Sequence, residues 1–189
     1  MRLPALVVIS GPAGSGKTTL AHELARAIPC PAVCRDEIKE GMVHAHGDGF
    51  EADWGDPLTR RATSLFFDVL RSYISAGVSV VAEAAFQQKV WGPNLDSLMD
   101  LARLRIIQCH TNPAVAKERI SGRGNRQAHA DGQLMQVLES DTSALQSFVR
   151  VCLDVPSMDV DTTDGYEPRL PAIVAFINGA QDFSLQDGS

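Results

Sequence analysis

Two kinds of apolar pattern alternate along this chain: short continuous blocks, and longer stretches in which apolar residues recur every three to four positions. Leu6–Ser10 is a continuous block, as expected of a strand covered on both faces. From Gly16–Lys17 the spacing turns helical through Leu20, Leu24 and Ile28, and stops at Pro29. Residues 32–34 form a second short block. A helix follows from Asp36 to about His46, and the turn-rich, acidic residues 47–56 read as a loop. Asp56-Pro57 is a helix start, with Asp as N-cap and Pro at the first helical position, and that helix runs to Gly77. Three further strands are predicted at 78–83, 104–109 and 158–161. Helices are expected over 88–103 (with a break near Gly92-Pro93), over 114–120 behind an Asn112-Pro113 start, around 133–149, and over 170–177. Strands alternating with helices in this way predict an α/β fold with a five-stranded parallel sheet flanked by helices. A single domain over residues 1–180 is expected, with 181–189 as a tail.

Composition changes this picture little. The chain has 189 residues, 44% hydrophobic and 21% charged, which is ordinary for a globular domain. The net charge of −6 counts against a nucleic-acid backbone as the main partner. The apolar run near the start is too short for a signal peptide, and no stretch reaches the length of a membrane span. Cysteines at 30, 34, 109 and 152 show no disulfide framework, and Cys30 and Cys34 lack a second ligand pair at zinc spacing. Free thiols in a reducing cytoplasm are the expectation.

The chemistry is concentrated behind the first strand, in Gly11-Pro12-Ala13-Gly14-Ser15-Gly16-Lys17-Thr18. Glycines allow successive N–H groups to converge on a phosphate, and the following helix adds the positive end of its dipole. Lys17 reaches β- and γ-phosphate oxygens, the Thr18 hydroxyl is placed for Mg²⁺, and Thr19 for the α-phosphate. The pattern sits between a buried strand and a helix, the context such a P-loop requires, so the ligand expected is ATP with Mg²⁺. No Asn-Lys-x-Asp segment is present, which argues against a GTP switch.

Asp36 lies just past the second strand, at the sheet edge where ligands bind in open parallel sheets. It suits a base that takes a proton from an acceptor hydroxyl, and it also suits the N-cap of the next helix. Glu83 ends the third strand, where a P-loop protein keeps a carboxylate for the metal's water shell. Arg119, Arg123 and Arg126 sit in a glycine-loosened stretch whose planar guanidiniums match phosphate oxygens.

Taken in order, the P-loop, Arg-Asp-Glu-Ile-Lys-Glu-Gly-Met from Arg35, Val-Val-Ala-Glu-Ala-Ala-Phe from Val80, Arg123-Gly124-Asn125-Arg126 and Asp159-Val160-Asp161-Thr162-Thr163 resemble one family. It is the small P-loop kinases of the chloramphenicol phosphotransferase, zeta-toxin and polynucleotide-kinase-like group, and the first of these is the nearest in pattern. The likeness spans residues 5 to about 178. It implies a nucleoside-kinase-like P-loop fold, Asp36 as general base, and Arg123 and Arg126 as lid arginines on the transferring phosphate; the glycine-loosened residues 119–130 are expected to be that lid, with Arg119 also neutralising charge there. It also implies that the stretch after Asp161, with Thr162 and Thr163, lies beside the adenine. Glu83-Ala84 departs from the paired acidic residues common at that strand end.

The acceptor-side segment is expected at about residues 36–60, and the acceptor pocket, residues 40–60 and 86–95, does not match closely enough to carry over a substrate. Asp48, Glu51, Asp53 and Asp56 with Phe50 and Trp54 read either as a lip favouring a neutral or cationic acceptor or as a solvated loop. His44, His46, His110 and His129 receive no role, and Phe66-Phe67 fit core spacing. The expected function is ATP-dependent phosphorylation of a hydroxyl on a small molecule such as an antibiotic, sugar, sugar nucleotide or nucleoside. A 5′-polynucleotide kinase and a non-catalytic, ATP-dependent ligand-sequestering protein are the alternatives. The oligomeric state is not legible.

Overall fold

The computed structural model describes residues 2–47, 49–53, 56–123, 128–129 and 148–179. Its centre is β1 (Ala5–Ser10), whose six residues are all buried. Leu6 and Val8 face one apolar layer and Val7 and Ile9 the other, so the continuous block is explained by cover on both faces. β3 (Val80–Glu83) and β4 (Arg103–His110) flank β1, with β2 (Ala32–Cys34) and β5 (Ser157–Asp161) at the edges. The order is β2-β3-β1-β4-β5 and every pairing is parallel. From β1 the chain leaves toward one edge and returns to build the other, which opens a crevice at the carboxyl end of β1.

α1 (Lys17–Ala27) lays Leu20, Ala21, Leu24 and Ala25 on one sheet face, joined there by α6 (Leu170–Asn178). The opposite face is covered by α3 (Pro57–Ser75), through Phe66, Phe67, Leu70 and Ile74, and by α4 (Gln88–Asp96) through Trp91 and Leu95. Phe66, Phe67, Phe86 and Trp91 pack edge-to-face or stacked, with centroids 5.1–5.8 Å apart. Phe66-Phe67 therefore belong to the core. α2 (Arg35–His46) packs on α3, and α5 (Pro113–Gly122) follows β4.

Several expectations needed adjustment. β3 starts at Val80 because the Val78 N–H donates back to the Tyr73 carbonyl, closing the end of α3, while the Ser79 hydroxyl accepts from the Ala5 N–H. The helix expected over 88–103 ends at Asp96, and Pro93 lies inside it instead of breaking it. The Asn94 side-chain amide donates to the Val90 carbonyl in that turn. Asp56 caps α3 by accepting from the Thr59 N–H at 2.8 Å, and Asn112 caps α5 from the Ala114 N–H at 2.9 Å. The helix expected around 133–149 lies, up to residue 147, outside the described residues, as do residues 124–127 and 130 of the 119–130 stretch.

Candidate active site

The P-loop wraps the carboxyl end of β1. Gly11, Gly14 and Gly16 adopt φ of 148°, 76° and 70°. A Cβ on Gly14 would stand 2.6 Å from the Ala116 carbonyl oxygen, and one on Gly11 2.3 Å from that of Cys109. Two of the loop's glycines are thus required by the close approach of neighbouring backbone as well as by dihedral angle. Gly16 is the left-handed N-cap of α1, with no side-chain cap. Lys17 is buried and folds back over the loop, donating to the Pro12 carbonyl at 2.8 Å and toward Ser15 Oγ at 3.5 Å. Ala13 and Ser15 complete the turn.

The Thr18 hydroxyl donates to Glu83 Oε2 at 3.2 Å, which brings the two sequence-predicted metal residues together across α1 and β3. Glu83 is buried, and burial pushes its carboxyl up; Lys17 pulls it back in part, while the nearby Asp36 adds to the rise. A hydroxyl and a buried carboxylate beside a phosphate cradle are oxygen donors suited to Mg²⁺.

Asp36 stands in the first turn of α2 at the same sheet edge. The N-cap alternative for it is corrected by the structure: α2 begins at Arg35, its N-cap position is Cys34, and no side chain caps it. Asp36 instead pairs with Arg35 (Nη1–Oδ1, 2.9 Å), whose other nitrogen donates to the Thr59 carbonyl at 3.1 Å. Burial pushes the Asp36 carboxyl up, but His129, Arg35 and Lys17 more than offset it and hold it below the usual carboxylate range. The carboxylate is therefore held ionised within electrostatic reach of the P-loop lysine, and Arg35 ties it to α3.

On the other flank of the loop, Arg119 donates to the carbonyls of Gly14 (3.4 Å), Thr162 (2.6 Å) and Thr163 (3.5 Å) and to the Thr162 hydroxyl (3.1 Å). The buried Thr162 hydroxyl also lies 3.0 Å from the Ser15 carbonyl and 3.2 Å from that of His110. Arg119 and Thr162 thus tie the P-loop to the ends of β4 and β5. Thr163 Oγ1 accepts from the Asn112 N–H at 3.0 Å, and its own N–H donates to Asp161 at 2.7 Å. Thr19, Gly16, Arg119, Arg123, Thr162, Gly165 and Tyr166 line a cleft of about 420 Å³ beside these contacts. Tyr166 went unnoticed in the sequence; an aromatic in the turn after a terminal strand was the available signal. A second cleft, of about 490 Å³, lies across the loop between Gly11-Pro12, the end of β4 and residues 148–150. Arg126 lies outside the described residues.

The acidic lip is smaller than its sequence. Asp56 is buried against Lys39 (Nζ–Oδ2, 2.6 Å), so it belongs to the α2–α3 joint, whereas Glu51 and Asp53 are exposed. Phe50 packs against His46 and under Lys39. Asp48 and Trp54 lie outside the described residues.

This sheet order, with a P-loop at the central strand and helices on both faces, is the P-loop kinase fold. A family profile described as an AAA domain matches residues 6–147, and the chain belongs to that family of P-loop proteins. Among solved structures, a candidate kinase from Chloroflexus aurantiacus J-10-fl superposes with a TM-score of 0.79 at 23% identity, covering 96% of this chain and 100% of that one. The APS kinase of Mycobacterium tuberculosis, bound to AMPPNP and APS, gives 0.65 at 12% identity, covering 94% and 99%. A gluconokinase from Sinorhizobium meliloti 1021 gives 0.59 at 17%, covering 95% of each. No curated protein sequence matches the chain. Among the described residues, no helix is long and apolar enough to cross a membrane.

Proposed function

We propose that the chain is an ATP-dependent O-phosphotransferase acting on a hydroxyl of a small molecule. The observation that carries this reading is Asp36: an ionised carboxylate at the ligand edge of the sheet, held by Arg35 beside the P-loop lysine. A protein that merely binds nucleotide has no need of a base in that place. Fold likeness to an APS kinase and a gluconokinase supports the class of reaction, by analogy.

In this reading the cradle N–H groups and the α1 N-terminus bind the β-phosphate, and Lys17 leaves the Pro12 carbonyl for the β/γ oxygens. Thr18 and Glu83 would hold Mg²⁺, which would supply neutralising positive charge to the β- and γ-phosphates. Asp36 accepts the acceptor's proton as its oxygen bonds to the γ-phosphorus and the bond to the β-phosphate oxygen breaks. Arg119, Arg123 and Arg126 neutralise the developing charge, and the turn after Asp161 with Tyr166 flanks the base. Exposed Glu51 and Asp53, with a net charge of −6, disfavour a phosphorylated or polyanionic acceptor. Neutral or cationic alcohols, among them sugars, nucleosides and hydroxylated antibiotics, are the favoured class, in a cytoplasmic setting.

The test is transfer of label from γ-labelled ATP across a panel of such alcohols, with a 5′-hydroxyl oligonucleotide as one arm. A labelled small molecule is expected, with kcat falling on the order of a hundredfold in Asp36→Asn while ATP affinity holds. Label confined to the oligonucleotide would establish the polynucleotide reading instead. Transfer at the parental rate by Asp36→Asn would refute the assigned base.

A further inference from the structure

Away from the phosphate cradle, three side chains with metal-ligating atoms converge from three separate elements. His22 projects from the second turn of α1, Cys34 ends β2, and Glu37 lies in the first turn of α2. His22 Nε2 is 2.6 Å from Glu37 Oε1 and 3.8 Å from Cys34 Sγ, and all three donor atoms lie within 4.8 Å of one another. In sequence these residues stand 12 and 3 apart, a spacing that matches no zinc motif. Only the packing of α1 beside β2 brings them together.

We infer that His22, Cys34 and Glu37 form a binding site for a borderline-soft divalent cation of the Zn²⁺ type. The donor set is nitrogen, sulfur and carboxylate oxygen, which selects Zn²⁺ or Co²⁺ over Mg²⁺ and Ca²⁺. Tetrahedral coordination at usual bond lengths separates N from O by about 3.4 Å and S from N by about 3.6 Å. The Cys34–His22 separation already fits. The Glu37 oxygen needs to withdraw by about 0.8 Å, a small rotation for a side chain that is 46% exposed. His22 is 38% exposed, so the site opens to solvent; an ion can enter, and a water can take the fourth position. Thiolate and carboxylate together balance the dication, the thiol proton leaving to solvent on binding. The bound ion would cross-link α1, β2 and α2 one residue from Asp36.

Co²⁺ titration of the full-length protein without nucleotide tests this, since the Thr18–Glu83 site contains no sulfur. One equivalent of Co²⁺ is expected to raise a thiolate-to-metal charge-transfer band together with tetrahedral d–d absorption, and Zn²⁺ should displace both. Cys34→Ser should abolish the charge-transfer band. Because Cys34 is buried and its replacement can disturb folding, His22→Ala, at a partly exposed helix position, is the second variant. It should weaken Zn²⁺ binding on the order of a hundredfold with circular dichroism unchanged. Cys152→Ser, removing an exposed thiol, should leave binding intact. The inference is overturned by the absence of a sulfur band at one equivalent. Parental affinity in His22→Ala, or a band that disappears with Cys152→Ser, overturns it equally.

Discussion

Lys39 and Asp56 form an ion pair whose side chains are 4% and 5% exposed, joining α2 to the start of α3. Asp56 spends one oxygen on the Thr59 N–H (2.8 Å) and the other on Lys39 (2.6 Å) and the Thr59 hydroxyl (2.9 Å). Removing the carboxylate leaves an ammonium buried without its counter-charge, at a cost of about 3–5 kcal/mol. Loss of the helix cap accounts for about 1 kcal/mol, and since both effects involve the same atoms they do not simply add. Asp56→Asn keeps an oxygen for the cap but loses the charge, so it isolates the larger effect. With a urea dependence of about 2 kcal/mol per molar, the midpoint should fall by about 1.5–2.5 M. The double variant Lys39→Met/Asp56→Asn removes both charges and should return to within about 2 kcal/mol of the parent. pH adds a second signature. Burial pushes the Asp56 carboxyl up, but Lys39 and Thr59 more than offset this and hold it below the ordinary carboxylate value. Its contribution is therefore complete above the unfolded-state pKa and is lost as pH falls through the lower folded-state value. Stability of Asp56→Asn should depend less steeply on pH in that acid window. Urea unfolding of the parent, Asp56→Asn and the double variant at neutral and acid pH checks all of this. A single Asp56→Asn variant within about 0.5 kcal/mol of the parent at neutral pH would refute the reasoning, since surface substitutions commonly cost that much.

Lys17→Ala should retain the fold and lose most triphosphate affinity or turnover, read by calorimetric titration with ATP; unchanged binding would contradict the cradle assignment. Gly14→Ala places a Cβ 2.6 Å from the Ala116 carbonyl at a φ of 76°, so both thermal stability and ATP affinity should drop, by thermal melt and titration. Thr162→Val removes the hydroxyl shared by Arg119, Ser15 and His110 at nearly constant volume. It should cost about 1–3 kcal/mol in chemical unfolding, with ATP affinity reduced as Arg119 loses its anchor.

The sequence by itself determined the parallel α/β architecture, because a strand buried on both faces must be apolar at every position, as Leu6–Ile9 is. It determined the phosphate loop too, since a contiguous run of glycines, Lys17 and Thr18 carries its own backbone requirement. Asp56 and Asn112 were legible as caps for the same reason: a helix start is a local event. What needed the folded chain were contacts between residues distant in sequence. Thr18 meets Glu83 across 65 positions, and Arg119 meets Gly14 across 105. Asp36 was readable as a carboxylate at a strand end, yet only the folded chain, with α2 beginning at Arg35, removes the N-cap reading for it. Asp56 looked like part of an exposed acidic lip until Lys39, 17 residues earlier, was found beside it in the interior. His22, Cys34 and Glu37 carry no sequence signal at all, because what brings them together is the packing of one helix against the edge of a sheet. A linear pattern reports which residues share a strand or a helix face; which faces meet is decided by the burial of the whole chain.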